Sequence, residues 1–409
     1  MQTVPPNRSA DPKIHVLFLT RSISFPNGMA STQRVKLLAQ GLVECGLDVS
    51  VLCTQVTERP PLIENKEVKG VYKGINYEYT TGRTIRSNYF LIRRWYELRG
   101  ILLAIRRLAE LKRKKKLCCV YYYGNILVNE PVRWIFYSIV RLLNLPLVIE
   151  VGERPWPLVK GSKKRLITLS PFLGIQGVVV ISDFLKNWAE QEKIRMKKDM
   201  AILELPILVD LKKQRLTDFH PEKPYVLFAG SSAYDQTIQF ILAAMTSVWN
   251  THPECLLVIT GCRPGEPASE AIIKFVNKQN LEGRVELAGY LSRLDLLQRY
   301  SQATALLLPL FDDDRSKARF PTKLGEYSAS GRPIVTNNVG DVARYFIDKK
   351  NAYVCTPGSS SLYGQKIDEV LNNPEESIRI GLEGRRTAER YFHYSLHAQS
   401  FANFIKSLA

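Results

Sequence analysis

The chain has 409 residues, 45% hydrophobic and 23% charged, a balance that excludes wholesale disorder and, at roughly 150 residues per domain, predicts two domains. Its formal net charge of +18 lies almost wholly in the first half, where residues 1–212 hold 34 basic and 18 acidic side chains against 23 and 21 in the remainder. Such a surplus attracts polyanions; the chain has no zinc-finger spacing, RNA-recognition signature or basic zipper, so the expectation is an anionic membrane surface and no nucleic acid.

Ile14 to Thr20, IHVLFLT, is an apolar, β-branched run of the kind buried on both faces of a parallel sheet. After the loop RSISFPNGMA, a helix is expected with Val35, Leu38, Leu42 and Val43 on one face and Ser31 or Thr32 as N-cap, then the strand DVSVLCT. Strand, Gly-containing loop, helix and strand make a βαβ unit, which binds ligands at the carboxyl end of its strands. LCCVYYYG, PLVIEVG, GVVVIS and MAILELP continue the rhythm. A second series starts at YVLFAGSS and runs through CLLVITG, RVELAGY, ALLLPL, PIVTNNVG and NAYVCT with helical segments between them. The expected class is therefore α/β, with two Rossmann-like, doubly wound domains facing across a cleft: residues 1–212, residues 213–390, and a C-terminal helix over 391–409 crossing back to the first domain.

Between the early strands, residues 92–116 are basic and amphipathic. Trp95, Leu98, Leu102, Ile105 and Leu108 form one stripe, among Arg94, Arg99, Arg106, Arg107 and the run Lys112 to Lys116. The stripe is expected to pack on the parent sheet in preference to lipid, because a Rossmann helix must bury one face, while the lysine cluster favours an anionic interface. Seven cysteines without a C-x-x-C pair, a polar N-terminus and no stretch of about 18 uninterrupted apolar residues point to a cytoplasmic protein, at most peripheral on the membrane's inner face.

Metal chemistry is not expected. The histidines are scattered, His393 and His397 lack the intervening Glu of a zincin, and Asp312 to Asp314 lie beside Arg315 and Lys317 as a solvated loop. The richer stretch is RFPTKLGEYSASGRPIVTNNVGD, from Arg319 to Asp341, where a helix is expected from near Thr322 to Gly331. Its N-terminus offers unsatisfied N–H groups and partial positive charge to a phosphate, with Arg319 and Lys323 on either side. Glu326, one turn on, either accepts from a vicinal diol or simply pairs with Lys323 on a solvated face.

That stretch, the two-domain pattern, and the segments IHVLFLTRSISFPNGMASTQRVKLLAQGLVECGLDVSVLCT and VELAGYLSRLDLLQRYSQATALLLPL resemble the family 4 glycosyltransferases of the GT-B fold. The likeness spans nearly the whole chain and is strongest from Leu257 to Gly340. It implies retaining transfer of a sugar from a nucleotide diphosphate donor, bound mainly by the C-terminal domain, to a glycan or lipid-linked acceptor held mainly by the N-terminal one, in polysaccharide or glycolipid assembly, without an essential metal. By the same resemblance Glu326 holds the ribose, Arg319 and Lys323 stabilise the leaving diphosphate at the helix start, Thr322, and Gly230, Gly261 and Gly28 let backbone approach the donor. Ser232 and Arg263 add donor contacts, and Tyr290 marks where the base rests.

Three departures stand out. The first of the family's paired glutamates is Ala318 here, and GSSAYDQTIQF carries no base after the first strand of the second series. The N-domain histidine is absent, its loop EVGERPWP offering Glu153 and Arg154 instead as acceptor-side candidates. Two other readings share the fold: a nucleotide-sugar epimerase, and a catalytically silent nucleotide-sugar-binding subunit.

Overall fold

Hydrophobic runs of four to seven residues and amphipathic segments alternate through the chain, and the structure, a computed structural model, turns them into strands and helices in that order. It describes residues 14–21, 23–60, 63–114, 117–124, 130–153, 170–213, 223–231, 234–262, 265 and 267–409. The chain divides into two units: residues up to Ile181, with Leu185–Leu205 and Tyr394–Ala409, form the first, and Ser182–Phe184 with Pro206–His393 the second.

The first unit contains β1 (His15–Thr20), α1 (Ala30–Glu44), β2 (Asp48–Cys53), β3 (Lys69–Tyr72), β4 (Ile75–Tyr79), α2 (Phe90–Arg113), β5 (Leu117–Tyr123), α3 (Pro131–Leu142), β6 (Leu147–Val151), β7 (Gly177–Val180), most of α4 (Asp183–Met196) and β8 (Ala201–Glu204). Its sheet has the order β3-β4-β2-β1-β5-β6-β7-β8, parallel except for the β3–β4 hairpin. The reversal of order beside β1 is the switch point of a doubly wound sheet. β1, β6 and β7 are buried along their whole length, as central parallel strands must be. The hairpin escaped the sequence reading; its signal is the two-residue turn Lys73-Gly74, with φ of 47° and 81°.

The second unit runs β9 (Tyr225–Ala229), α5 (Asp235–Thr251), β10 (Leu256–Thr260), α6 (Pro267–Lys278), β11 (Val285–Gly289), α7 (Arg293–Gln302), β12 (Ala305–Leu308), α8 (Asp314–Ala318), α9 (Thr322–Ser330), β13 (Ile334–Asn337), α10 (Val342–Tyr345), β14 (Tyr353–Cys355), α11 (Ser360–Asn372) and α12 (Pro374–Tyr391). Its wholly parallel sheet is ordered β11-β10-β9-β12-β13-β14. One face is closed by Ile238, Leu242, Met245 and Trp249 of α5, with Tyr363 and Ile367 of α11.

Three local expectations are corrected. The C-terminal helix expected over 391–409 starts later, as α13 (Tyr394–Leu408), parted from α12 at Phe392–His393, where the Val209 N–H donates to the Phe392 carbonyl at 2.8 Å. This helix packs in the first unit: the Tyr394 hydroxyl donates to Glu44 at 2.6 Å, and Tyr121 meets Phe401 edge-on at 5.6 Å. Neither Ser31 nor Thr32 caps α1; Met29 holds the cap position, and the Thr32 hydroxyl donates instead to the Ser24 carbonyl at 2.7 Å. Finally, of the stripe expected on α2, Leu108 is buried and Ile105 half-buried, but Trp95, Leu98 and Leu102 are exposed. The inward face of α2 is Gly100, Ala104 and Leu108, because only small residues let the helix backbone come so close: a Cβ on Gly100 would lie 2.5 Å from the Thr54 carbonyl.

Candidate functional site

The site grows from strand ends in the second unit. β9, β10 and β11 finish side by side, with a glycine at or just after each end: Gly230, Gly261 and Gly289. The Gly261 N–H donates to the Gly289 carbonyl at 2.6 Å, and the Gly230 N–H to the Thr260 carbonyl at 3.4 Å. Gly261 adopts φ +76°, and a Cβ there would sit 2.8 Å from the Gly230 carbonyl oxygen, so no other residue fits without moving backbone. The result is a bare backbone floor at the carboxyl edge of the sheet, the place where open α/β sheets bind ligands.

Above it stands the start of α9. Pro321 holds the cap position with φ −64°, ψ 121° and supplies no side-chain cap, so the first N–H groups of the helix keep their donors for a ligand. Thr322 is its first residue, and Arg319 lies just before it, at the end of α8, partly buried. The helix is keyed to the sheet by Tyr327, whose hydroxyl accepts the Ala229 N–H at 3.0 Å and whose ring meets Tyr300 edge-on at 5.0 Å. At its other end Gly331 caps it with φ 72°, as the Gly-Arg-Pro turn requires.

This keying places Lys323 over the floor. Its ammonium is 5.4 Å from the Phe228 ring centroid and 4.8 Å from that of Tyr234, and 3.4 Å from where a Cβ of Gly230 would be. Desolvation pulls its pKa down from 10.5 to about 8, against a smaller upward pull from Glu326. A lysine in that state gains most from an incoming anion, which restores the charge that burial penalises.

Glu326 is not paired with Lys323 as the simpler reading had it. Its carboxylate forms an ion pair with Arg293 at 2.9 Å. Arg293 opens α7, whose start is fixed by Ser292 accepting from the Asp295 N–H at 3.2 Å. The sequence held a signal for the helix start in Ser292-x-x-Asp295, but nothing local to link residue 293 with residue 326. Tyr290 follows Gly289 at the same edge and is 38% exposed. Ala318 is buried, its carbonyl accepting from the Ser182 hydroxyl at 2.7 Å, and Lys317 pairs with Asp312 at 2.7 Å as the loop reading expected.

Gly230, Gly261, Thr322, Lys323 and Glu326 are thus brought together, with Arg319 and Tyr290 on flanking segments. Gly28 and Glu153 lie in the first unit. Gly28 is packed so closely that a Cβ would meet the Ser24 hydroxyl at 2.6 Å, and its carbonyl accepts from the Gln33 amide at 3.1 Å. Glu153 is exposed just beyond β6. Ser232, Arg263 and Arg154 lie outside the described residues. Among the described residues no cluster of three or more His, Cys, Asp or Glu side chains is placed to hold a metal.

Residues 211–387 match the family model of the glycosyl transferases group 1. The glycogen synthase of Mycobacterium tuberculosis is 23% identical over 177 residues, which are 43% of this chain and 41% of that protein. The alpha-D-kanosaminyltransferase of Streptomyces kanamyceticus is 21% identical over 279 residues, covering 60% of this chain and 66% of that protein. The chain thus aligns with about two fifths of the mycobacterial relative and about two thirds of the second. Among solved structures, the sucrose-phosphate synthase of Thermosynechococcus elongatus has a TM-score of 0.70 at 15% identity, covering 97% of this chain and 99% of that one. Anabaena HepE, solved with UDP, has a TM-score of 0.65 at 14% identity, covering 97% of this chain and 100% of its own. These likenesses establish the fold: two parallel-sheet, Rossmann-like domains of the GT-B kind.

Proposed function

We propose, from the premise that residues 211–387 belong to the group 1 glycosyl transferases, that this chain moves a sugar from a nucleoside diphosphate donor to a glycan or lipid-linked acceptor with retention at the anomeric carbon. The observation that carries the reading is the placing of Lys323, its pKa lowered to about 8 by desolvation, over a glycine floor at an uncapped helix start. UDP and UDP-glucose complexes of Anabaena HepE support a uridine nucleotide as the first donor to try.

In this reading Gly230 and Gly261, with Ser232 and Arg263 beyond them, admit the diphosphate to the strand ends, Tyr290 lies against the base, and Glu326 takes the ribose hydroxyls, sharing its carboxylate with Arg293. The bond from the anomeric carbon to the β-phosphate oxygen breaks, and charge grows on that oxygen. Lys323, Arg319 and the N–H groups at Thr322 meet it, each well-placed donor worth roughly 3 to 4 kcal/mol. The acceptor hydroxyl forms its new bond on the same face and passes its proton to the departing phosphate. Charge is supplied by protein cations, and no metal has a part in it. Gly28 of the first domain lets backbone approach the donor, Glu153 and Arg154 hold the acceptor, and residues 92–116 rest on an anionic cytoplasmic membrane face where glycolipid or polysaccharide is assembled.

The test is a panel of nucleotide sugars scored by thermal shift, then by release of nucleoside diphosphate and product mass with glycan and lipid acceptors. One donor is expected to raise the melting temperature and to release its nucleotide only with acceptor. A product of unchanged donor mass identifies an epimerase and overturns the reading. Buried Ala318, standing where the family resemblance implies a glutamate, favours a second reading, a silent binding subunit, which predicts the thermal shift without release under any acceptor.

A further inference from the structure

The basic residues of the first unit are gathered, not spread. Between residues 86 and 116 the chain has eleven basic and two acidic side chains. At the start of α2, Arg59, Pro60, Arg86, Ser87, Asn88 and Arg93 line a cavity of about 510 Å³. Among the described residues no carboxylate pairs with any of these three guanidiniums, although nearby Arg94, Arg106 and Arg107 all have glutamate partners. The helix start beside them is capped by Tyr89 without a side-chain hydrogen bond, which adds N–H donors of the same sign. Three unneutralised guanidiniums around one cavity, with Ser87 and Asn88 as further donors, are the chemistry that grips a phosphate.

The same helix carries an apolar stripe facing away from the protein. Leu91, Trp95, Leu98 and Leu102, spaced four, three and four apart, are 78%, 62%, 50% and 58% exposed. The helix cannot roll to hide them. Gly100 is pressed onto the Thr54 carbonyl, and the Thr80 hydroxyl donates to the Gly100 carbonyl at 2.8 Å. Arg94 flanks the stripe on one side and Arg99 and Arg106 on the other, and Lys112, Arg113 and Lys114 follow at its end. An apolar line of Trp and Leu edged by Arg and Lys is complementary to an anionic bilayer surface, into which such a helix sinks its stripe while its cations meet headgroups. Among the described residues no helix is long and apolar enough to cross a membrane.

We propose that α2 lies in the headgroup layer of an anionic bilayer and that the Arg59, Arg86, Arg93 cavity takes the phosphate of a lipid in that layer. The proposal rests on the membrane part of the function proposed above and deepens it: the stripe supplies depth, and the cavity selects a phosphate-bearing lipid at one end of the helix.

The test is sedimentation of the full chain with vesicles of phosphatidylcholine, alone or mixed with phosphatidylglycerol. Wild type is expected to sediment with the mixed vesicles and to be displaced by inorganic pyrophosphate. Changing Arg59→Gln, Arg86→Gln and Arg93→Gln together weakens that binding by roughly fivefold per arginine. Trp95→Ser with Leu98→Ser weakens it too, while Lys193→Gln, Arg195→Gln and Lys197→Gln at the end of α4, the same loss of charge, leave most of it. Should the triple change fail to fold, Arg59→Gln alone carries the test, since that side chain is exposed. Equal loss in the α4 control overturns the cavity assignment. Pyrophosphate that raises the melting temperature of a protein that never sediments, by an amount that Arg59→Gln reduces and Lys323→Ala does not, identifies a soluble phosphate ligand in the cavity and overturns the lipid. If wild type ignores every vesicle yet releases nucleotide with a soluble acceptor, this proposal falls and the transfer reading stands.

Discussion

Two desolvated cations, one in each unit, show how the same charge is put to opposite uses. Arg34 on α1 is enclosed in the first unit, with Glu150 of β6 taking its Nε, the Leu205 carbonyl accepting from Nη2 at 2.9 Å, and the Tyr121 hydroxyl donating to the far Glu150 oxygen at 2.7 Å. Desolvation alone would depress its pKa, but Glu150, with Tyr121 and Tyr123, outweighs that and leaves it raised. Lys323 is given aromatic faces and a carboxylate already engaged by Arg293, so desolvation wins and its pKa falls to about 8. A satisfied charge holds a fold together. An under-satisfied one waits for a partner that the chain does not supply.

The largest expected effect is on the satisfied side. Arg34→Met strands the Glu150 carboxylate in the core and is expected to cost about 3 to 5 kcal/mol of stability, read from denaturant unfolding. Replacing both partners, Arg34→Met with Glu150→Leu, should recover part of that loss. If the single change leaves stability untouched, Arg34 is not the structural half of the contrast.

Lys323→Ala should do the reverse. Nucleotide release is expected to fall about 10²–10³-fold, the usual consequence of removing one preorganised charge, while the melting temperature holds or rises. A lowered melting temperature with normal turnover would move Lys323 to the structural class. Next in size is Glu326→Gln. It keeps the shape but removes the charge offered to the ribose and to Arg293, and should weaken nucleotide affinity by roughly tenfold, an effect typical of one charge-assisted hydrogen bond.

What the sequence revealed and what it hid divide along physical lines. Strands such as IHVLFLT and CLLVITG were legible because burial on both faces leaves an unbroken apolar run, and the helix from Thr322 to Gly331 because a prolyl start and a glycine at φ 72° punctuate it. The glycines at the strand ends were placed by resemblance, and the close approach of Gly261 to Gly230 supplies the reason they are glycine. Three things were hidden because they depend on what lies across the fold. Arg293 reaches Glu326 from another helix, Lys323 loses water to Phe228 and Tyr234, and α2 turns its larger apolar residues outward because Gly100 is pressed onto Thr54. Periodicity names a stripe; it does not say which stripe wins the core.

The smallest effect is also the most diagnostic, because its sign separates the ligand from the fold. With a folded pKa of about 8 against an ordinary 10.5, Lys323 binds fewer protons folded than unfolded between those values, so its contribution to stability rises as pH climbs from about 8 to 10.5. Nucleoside diphosphate binding has the opposite sign, since the anion favours the protonated amine. Affinity should be flat below about pH 8 and should fall by up to about tenfold per pH unit above it, until the pKa of the complex is passed. Isothermal titration with UDP from pH 7 to 10 reads this directly, and in Lys323→Ala the slope should vanish. A slope that survives the substitution would assign the titration to another group, and with it the claim that this lysine, rather than Arg319, senses the diphosphate.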